Sequence, residues 1–239
     1  MSRVGRVMSQ RMRLLTGFIS VFFLAGTQHV LAQTADWQVS GALGVASEGV
    51  SKDVGETSGR GQVKASLEAA RGPVFVSASL RNLHEAGGID GQQEYVLGLK
   101  GRAQGFDLAF SGGYKIKNNA PSGFDAHFVE WQADVSRTFA SGTTVRVTDV
   151  YASDAPGATQ GDNWIEAGLS QVINAHWSVS GAVGTRRLTP KNDYSAVNIG
   201  ATYAFLPRTK IDLRYYETDR HDAGDAFKSR LVLQLMQNF

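Results

Sequence analysis

The side chains of this chain that could do chemistry are charged, and they recur on one phase of an alternating pattern. The cations of that phase are Lys64, Arg81, Lys100, Lys115, Arg146, Arg186, Lys210, Arg214 and Arg230. The anions are Glu68, Glu94, Asp107, Glu130, Asp134, Glu166 and Asp212. Groups spaced evenly along extended chain line one surface, where they attract, repel or pair without breaking bonds. Cations slightly outnumber anions. Asp212 lies between Lys210 and Arg214 on the same face and should neutralise part of their charge. Arg81, Arg146, Arg186 and Arg230 have no acid two residues away, so they are expected to stand unpaired and to favour anions weakly.

Bond-breaking chemistry finds little footing. After residue 32 the histidines are His84, His127, His176 and His221. His84 and His221 lie in polar stretches with Glu85, Asp219, Asp222 and Asp225 nearby, and an acid–histidine pair there would activate water. Asp219-Arg-His-Asp-Ala-Gly-Asp225 is also ordinary loop composition. Its three aspartates lack the twelve-residue pattern and closing glutamate of a calcium hand. No Gly-x-Ser-x-Gly elbow, His-Glu-x-x-His helix or phosphate loop occurs. There is no cysteine, which excludes disulfides and thiolate chemistry. We therefore expect no catalytic residue, no metal and no cofactor.

The elements that carry the charges alternate with a period of two. In Phe106–Ile116, Phe106, Leu108, Phe110, Tyr114 and Ile116 share one face, and Asp107, Ser111 and Lys115 share the other. Val197, Ile199, Ala201, Tyr203 and Phe205 repeat the pattern, as do Ile211, Leu213 and Tyr215. Read throughout, the pattern predicts about twelve segments of the ~9–11 residues that a tilted transmembrane strand needs. They begin near Trp37, Gln62, Val74, Gln92, Phe106, Phe124, Thr143, Asn163, Trp177, Ser195, Thr209 and Lys228.

Short connections alternate with long polar ones. The short set is Arg71–Pro73, Gly101–Gly105, Phe139–Gly142, Ile173–His176 and Leu206–Arg208. The long set is Ser47–Gly61, Asn82–Gly91, Lys117–Gly123, Ala152–Asp162, Arg187–Asp193 and Asp219–Ala226. An even-stranded outer-membrane barrel with both termini in the periplasm has this asymmetry. Aromatics cluster toward strand ends: Trp37, Phe106, Phe139, Trp177, Phe205 and Phe239 at the short-turn side, Tyr114, Phe124, Tyr151, Trp164, Tyr194 and Tyr215 at the long-loop side. Two interfacial girdles are expected. Arg137, Asp149 and Glu217 fall on the apolar phase, each near a strand end, where a charge facing lipid costs little.

The first 32 residues read as a secretory signal. Arg3, Arg6, Arg11 and Arg13 precede the apolar run Leu14–Gly26, and Val30-Leu-Ala32 fits a cleavage site before Gln33. The full chain carries 24 basic and 22 acidic residues. Without those four arginines the acids prevail, so no nucleic-acid footprint remains. The expectation is an all-β, up-and-down transmembrane barrel over residues 33–239, located in the outer membrane. Leu231, Leu233, Leu235 and Phe239 form the apolar face of the final strand, and Phe239 is expected to serve as an assembly signal. Lipid, the barrel-assembly machinery and periplasmic chaperones are the expected partners.

A family resemblance covers nearly all of the region after the signal. It is carried by Ser47-Glu-Gly-Val-Ser51 followed by Gly61-Gln-Val, by Gly113-Tyr114, Glu130-Trp131 and Asn163-Trp-Ile-Glu-Ala167. It continues through Asn198-Ile-Gly200, Asp212-Leu-Arg-Tyr215, Thr218-Asp219 and Phe239. On these residues the chain resembles the TorF-type putative porins, small proteobacterial outer-membrane proteins. That family often has Arg before Gly-Val-Ser, where this chain has Glu48. The resemblance implies a porin-like barrel without naming a solute.

The residues and the resemblance together give an expectation of passive passage for small polar or charged solutes through a charged lumen. Two alternatives stand beside it: a membrane hydrolase with a loop-borne site, and a structural or adhesive barrel closed by ion pairs. Glycines on the charged phase (Gly44, Gly98, Gly113, Gly168, Gly184 and Gly200) are expected to leave room or ease bending.

Overall fold

Extended segments with one apolar and one polar face cannot bury both in water, and here they close on themselves. The computed structural model describes residues 36–156, 160–189 and 193–239. The expected signal, residues 1–32, lies outside them. Twelve antiparallel strands form a closed barrel: β1 (Gln38–Ala46), β4 (Gln62–Arg71), β5 (Val74–Asn82), β6 (Gly91–Ala103), β7 (Phe106–Asn118), β8 (His127–Thr138), β9 (Thr143–Ala152), β10 (Gly161–Val172), β11 (Trp177–Thr189), β12 (Tyr194–Leu206), β13 (Thr209–Thr218) and β14 (Arg230–Asn238). The two remaining strands, β2 (Val50–Ser51) and β3 (Val54–Gly55), form a small separate hairpin.

Each barrel strand pairs with its sequence neighbour, and β1 pairs with β14 to close the ring. Apolar side chains point outward: Val39, Leu67, Leu97, Val183, Ile199 and Leu231 are each more than half exposed. A water-soluble protein rarely shows so large an apolar surface, whereas hydrocarbon would cover it. The band has aromatic borders. Trp37, Phe106, Phe139, Trp177, Phe205 and Phe239 are exposed toward the short turns, and Tyr114, Tyr151 and Tyr215 toward the long loops.

Outward charges lie at the ends of their strands and have partners. The Arg137 guanidinium lies 5.3 Å from the Phe106 ring and 5.2 Å from that of Phe139. The amide of Asn163 donates to Asp149 at 2.6 Å.

Turn chemistry fixes the register on the short-turn side. Gln104 and Gly105 connect β6 to β7 with φ of 51° and 80°. Positive φ at both central residues matches a primed hairpin turn, whose twist suits the flanking strands.

The seam between β1 and β14 is closed by a paired contact. Gly41 and Phe239 exchange backbone hydrogen bonds of 3.0 Å in both directions. A Cβ on Gly41 would fall 2.5 Å from the Phe239 ring, so glycine there makes room for the aromatic. The same device recurs on the inner wall. Phe75 covers Gly98, Trp164 covers Gly184 and Arg214 covers Gly200. At these three of the six lumen glycines the expected room is taken up by a neighbouring side chain.

Two further corrections concern boundaries. Strand β8 begins at His127, three residues after the expected Phe124, because Asp125 accepts the His127 amide in a local turn (3.2 Å). Strand β11 runs on to Thr189, with Arg187 and Leu188 paired to β10. Of the expected long loop Arg187–Asp193, residues 187–189 therefore belong to the strand, and 190–192 lie outside the described residues.

Candidate functional site

The largest departure from expectation is the segment 47–61. Its polar composition suggested an external loop, yet it turns into the barrel as a strap. Val50-Ser51 and Val54-Gly55 pair across Lys52-Asp53, whose φ values are 48° and 61°. Both central residues take the left-handed conformation that primed turns demand and that non-glycine residues resist. The tip is held there by its surroundings. At its base the amide of Gly49 donates to Thr57 Oγ1 (2.8 Å), and Glu56 N–H donates to the Gly49 carbonyl (2.8 Å).

The tip inserts its charges into the wall. Lys52 Nζ lies 2.5 Å from Glu130 of β8 and 2.6 Å from Asp162 of β10. Glu130 also pairs with Lys115 of β7, which lies 3.4 Å from Glu94 of β6. Asp162 receives Nε and an Nη of Arg186 of β11 at 2.8 and 2.7 Å. The result is one chain of alternating charge, Glu94–Lys115–Glu130–Lys52–Asp162–Arg186. Strand β9 contributes no charge to it, and the strap lysine bridges the gap between β8 and β10. Asp53 accepts from the Asn198 amide at 3.0 and 3.2 Å, and the Tyr194 hydroxyl donates to the Lys52 carbonyl at 2.6 Å.

An apolar anchor accompanies these contacts. Val54 and Phe227 pack against buried Val150, Trp164, Tyr194 and Ala196. Trp164 and Tyr194 retain only 3% and 2% of their exposure, so they face the lumen and are not girdle residues as expected. Their rings lie 6.0 Å apart, and Phe227 meets Tyr194 edge-on at 5.3 Å.

On the opposite wall the strap offers acids to arginines. Glu48 pairs with Arg230 of β14, and Glu56 lies 3.1 Å from Arg81 of β5. The position where the resembling family often has Arg thus carries an acid with a basic partner here. Burial shapes the tip's own titration. It lowers the Lys52 ammonium to about 8, with Arg186 adding to the effect and Asp162 opposing it. It raises Asp53 to about 6, against the hydrogen bond from Asn198.

Several of the remaining inner-face charges lie toward the short turns, whereas Lys64 stands near the long-loop end of β4. Lys100 pairs with Glu68 (2.7 Å), and Asp107 with Arg102 (3.2 Å). Arg146 lies 3.8 Å from Asp134 and 3.5 Å from Glu166. Arg214 pairs with Asp212 (3.2 Å) and donates to Asn198 and Ser180, both at 2.7 Å. Lys64 and Lys210 are exposed on the inner face. The four arginines expected to stand free, Arg81, Arg146, Arg186 and Arg230, all have acidic partners. Those partners come from neighbouring strands or from the strap, which spacing along one strand does not reveal. The anion preference assigned to those four loses its stated basis.

The loop acids and histidines take local partners. Asp222 pairs with Arg220, Asp225 with Lys228 and His221 with Glu217. Among the described residues no group of three potential ligands could hold a metal ion.

The missed residues are Lys52, Asp53 and Glu56, and Glu48 stands out in the sequence only as a departure from the family pattern. One signal pointed to them: two valines flanking a two-residue polar turn inside an otherwise polar loop is a hairpin pattern.

A family model for Gram-negative porins matches residues 32–223. The chain belongs to the Gram-negative porin family. Solved barrels agree in architecture while sharing little sequence. A KdgM porin in complex with oligogalacturonate aligns with a TM-score of 0.60 at 8% identity, over 84% of this chain and 99% of the other. The NanC porin aligns at 0.56, with 8% identity over 84% and 99%. An outer-membrane channel from Pseudomonas putida F1 aligns at 0.55, with 10% identity over 90% and 99%. No curated protein matches the sequence. This porin is accordingly a channel-type barrel of the Gram-negative outer membrane.

Proposed function

We propose that this porin passes small polar or charged solutes by passive diffusion, through a lumen narrowed near its long-loop end by the strap 47–61. The observation that carries the reading is the double docking of the strap. Its lysine tip engages acids of β8 and β10, while its base offers glutamates to arginines of β5 and β14. The inner-face residues Lys64, Glu94, Lys100, Asp107, Lys115, Asp134, Arg146, Glu166, Lys210, Asp212 and Arg214 then line the path beside and below the strap. The long loops face the exterior and the short turns the periplasm.

The finer family reading, a TorF-type porin, fits the motifs around Ser47–Ser51 and Asp212–Tyr215. Export by a signal over residues 1–32, followed by folding through the barrel-assembly machinery, belongs to the same reading. Turnover of a substrate is not part of the reading.

The test is planar-bilayer recording of refolded protein beside a variant whose residues 49–56 are replaced by a short Gly-Ser link. Discrete steps that grow at least about twofold in the variant are expected, since a wide barrel without a constriction conducts more. Equal conductance in the two proteins would overturn the narrowing.

The ion-pair network also favours a second reading, a barrel held closed at rest. The same recording decides it: a silent parent and a conducting variant would replace the open channel with a closed one.

A further inference from the structure

The strap meets the basic wall at two arginines whose surroundings differ. Arg230 is fully engaged. Besides Glu48, it donates to the carbonyls of Asp225 (2.8 Å), Ala226 (2.5 Å) and Lys228 (3.0 Å), and its Nε reaches Lys228 as well (3.2 Å). Arg81 is not. One Nη reaches Glu56 at 3.1 Å and Gln92 at 3.3 Å, while its Nε is buried without a partner. The second oxygen of Glu56 is likewise buried and unpartnered.

A guanidinium and a carboxylate that met as a fork would fill both positions. Here the strap holds Glu56 in a one-sided contact, and each unmatched buried atom carries its desolvation cost without a hydrogen bond to offset it.

Beside Arg81 stands a second cation. Lys64 is its direct partner across the β4–β5 ladder. Like charges opposite one another destabilise a sheet unless an anion joins them. The Lys64 side chain is exposed on the lumen face and forms no ion pair or hydrogen bond among the described residues. The charges acting on it are those of Arg81, Glu94 and Glu56.

We propose that Lys64 and Arg81 form a binding site for the carboxylate of a small organic acid, and that Glu56 is a tethered carboxylate occupying it at rest. An incoming acid gains what Glu56 lacks, a fork onto Arg81 and the free ammonium of Lys64. Because the acid displaces Glu56, binding also releases one of the strap's anchors. By linkage, solute occupancy and a loosened strap favour each other. The inference deepens the channel reading by naming a solute class, yet the site can be tested without any conduction.

The test is calorimetric titration of sodium succinate into detergent-folded protein at neutral pH and fixed ionic strength. Folding of each variant is checked by its gel migration with and without boiling. The parent should bind saturably. Glu56→Gln removes the competitor and should tighten binding about tenfold, the scale of one charge-assisted contact. Lys64→Gln should weaken it by a similar factor, and the substitution falls at an exposed position of the lumen wall. Glu48→Gln frees Arg230, whose donors are already held by carbonyls; it acts on the site only by loosening the strap and should tighten succinate binding far less than Glu56→Gln.

The proposal fails if neither parent nor Glu56→Gln binds saturably, or if Lys64→Gln binds as the parent does. It also fails if Glu48→Gln tightens binding as much as Glu56→Gln, since strap loosening alone would then explain the gain. Sodium sulfate binding as tightly as succinate would replace the carboxylate site with a general anion site. A silent bilayer recording with succinate binding intact would sink the channel reading and leave this site standing.

Discussion

The two ends of the lumen use the same residue types to different effect. Near the long loops, the side chains of the chain from Glu94 to Arg186 keep between 3% and 27% of their exposure. Near the short turns, Lys100 and Glu68 keep 45% and 37%, and Arg102 and Asp107 keep 64% and 51%. Wet ion pairs are worth ~0–1 kcal/mol, because water solvates each partner nearly as well. Buried pairs contribute little net stability, yet losing one partner is expensive because the other charge is stranded. The contrast shows where water is displaced. The wall is similar at both ends, and the strap makes the difference.

The sharpest way to break that contrast is Lys52→Met. It keeps the length of the side chain and removes the charge between Glu130 and Asp162, leaving both acids short of a partner. A penalty of about 3–5 kcal/mol is expected on strap docking. The barrel itself is held by strand ladders and should still form. In bilayer recordings the variant should resemble the strap replacement, with larger and noisier steps. Parent-like conductance in Lys52→Met would mean that the Val54 anchor and the glutamates suffice.

Acidity probes the same region with the sign fixed by Asp53. Its docked value, about 6, lies above the ordinary 3.8, so the docked strap prefers the protonated form. Docking is therefore helped below the ordinary value, and that help is lost as pH rises through about 6. The full effect is about 3 kcal/mol, and lowering pH from about 7 to 5 should recover part of it. Conductance should fall over that interval. Asp53→Asn, which keeps an acceptor for Asn198, should remove the fall. A monotonic rise in conductance on acidification would contradict this assignment for Asp53.

A lesser loss is expected at the seam. Gly41→Val would place branched carbons where the Phe239 ring lies. The ring must leave and its packing over β1 is lost, at about 1–3 kcal/mol as for other overpacked sites. Unboiled protein should convert to the slow-migrating form at a lower temperature, and the combination with Phe239→Ala should restore part of the loss. Two independent, additive losses would show that the ring does not need the glycine.

Most of the barrel was legible because period-two alternation belongs to each strand alone. Phe106–Ile116 and Ile211–Tyr215 announce their faces without any neighbour. What spacing could not supply was partnership across strands. Arg186 has no acid within two residues, yet Asp162 reaches it diagonally from the adjacent strand, where Asp162 stands opposite Leu188 and Arg186 opposite Trp164. Trp164 looked like a girdle residue because it sits near a strand end. Its phase placed it inward, where Gly184, diagonal to it on β11, leaves space for the ring. The strap departs from expectation because polar composition shows only that a loop suits polar surroundings, and the inner wall of this barrel is charged as well.

The smallest expected effect sharpens the comparison from the other end. Lys100→Gln removes the ammonium 2.7 Å from Glu68, the same kind of contact that Lys52 makes with Asp162. Both partners at the short-turn end remain over a third exposed, so Glu68 should be solvated once left alone. The aliphatic stem of Lys100, whose ammonium lies 5.3 Å from the centre of the Phe75 ring, is largely preserved by glutamine. Unfolding measured by gel migration against temperature should therefore shift by less than about 1 kcal/mol equivalent. Added salt should shrink even that, since exposed charges are screened over ~8–10 Å. Lys52→Met should keep most of its effect in the same salt, because its partners are shielded from mobile ions. If the two variants lost equal stability and responded equally to salt, the lumen would be uniformly wet, and the strap would not be the place where the path narrows.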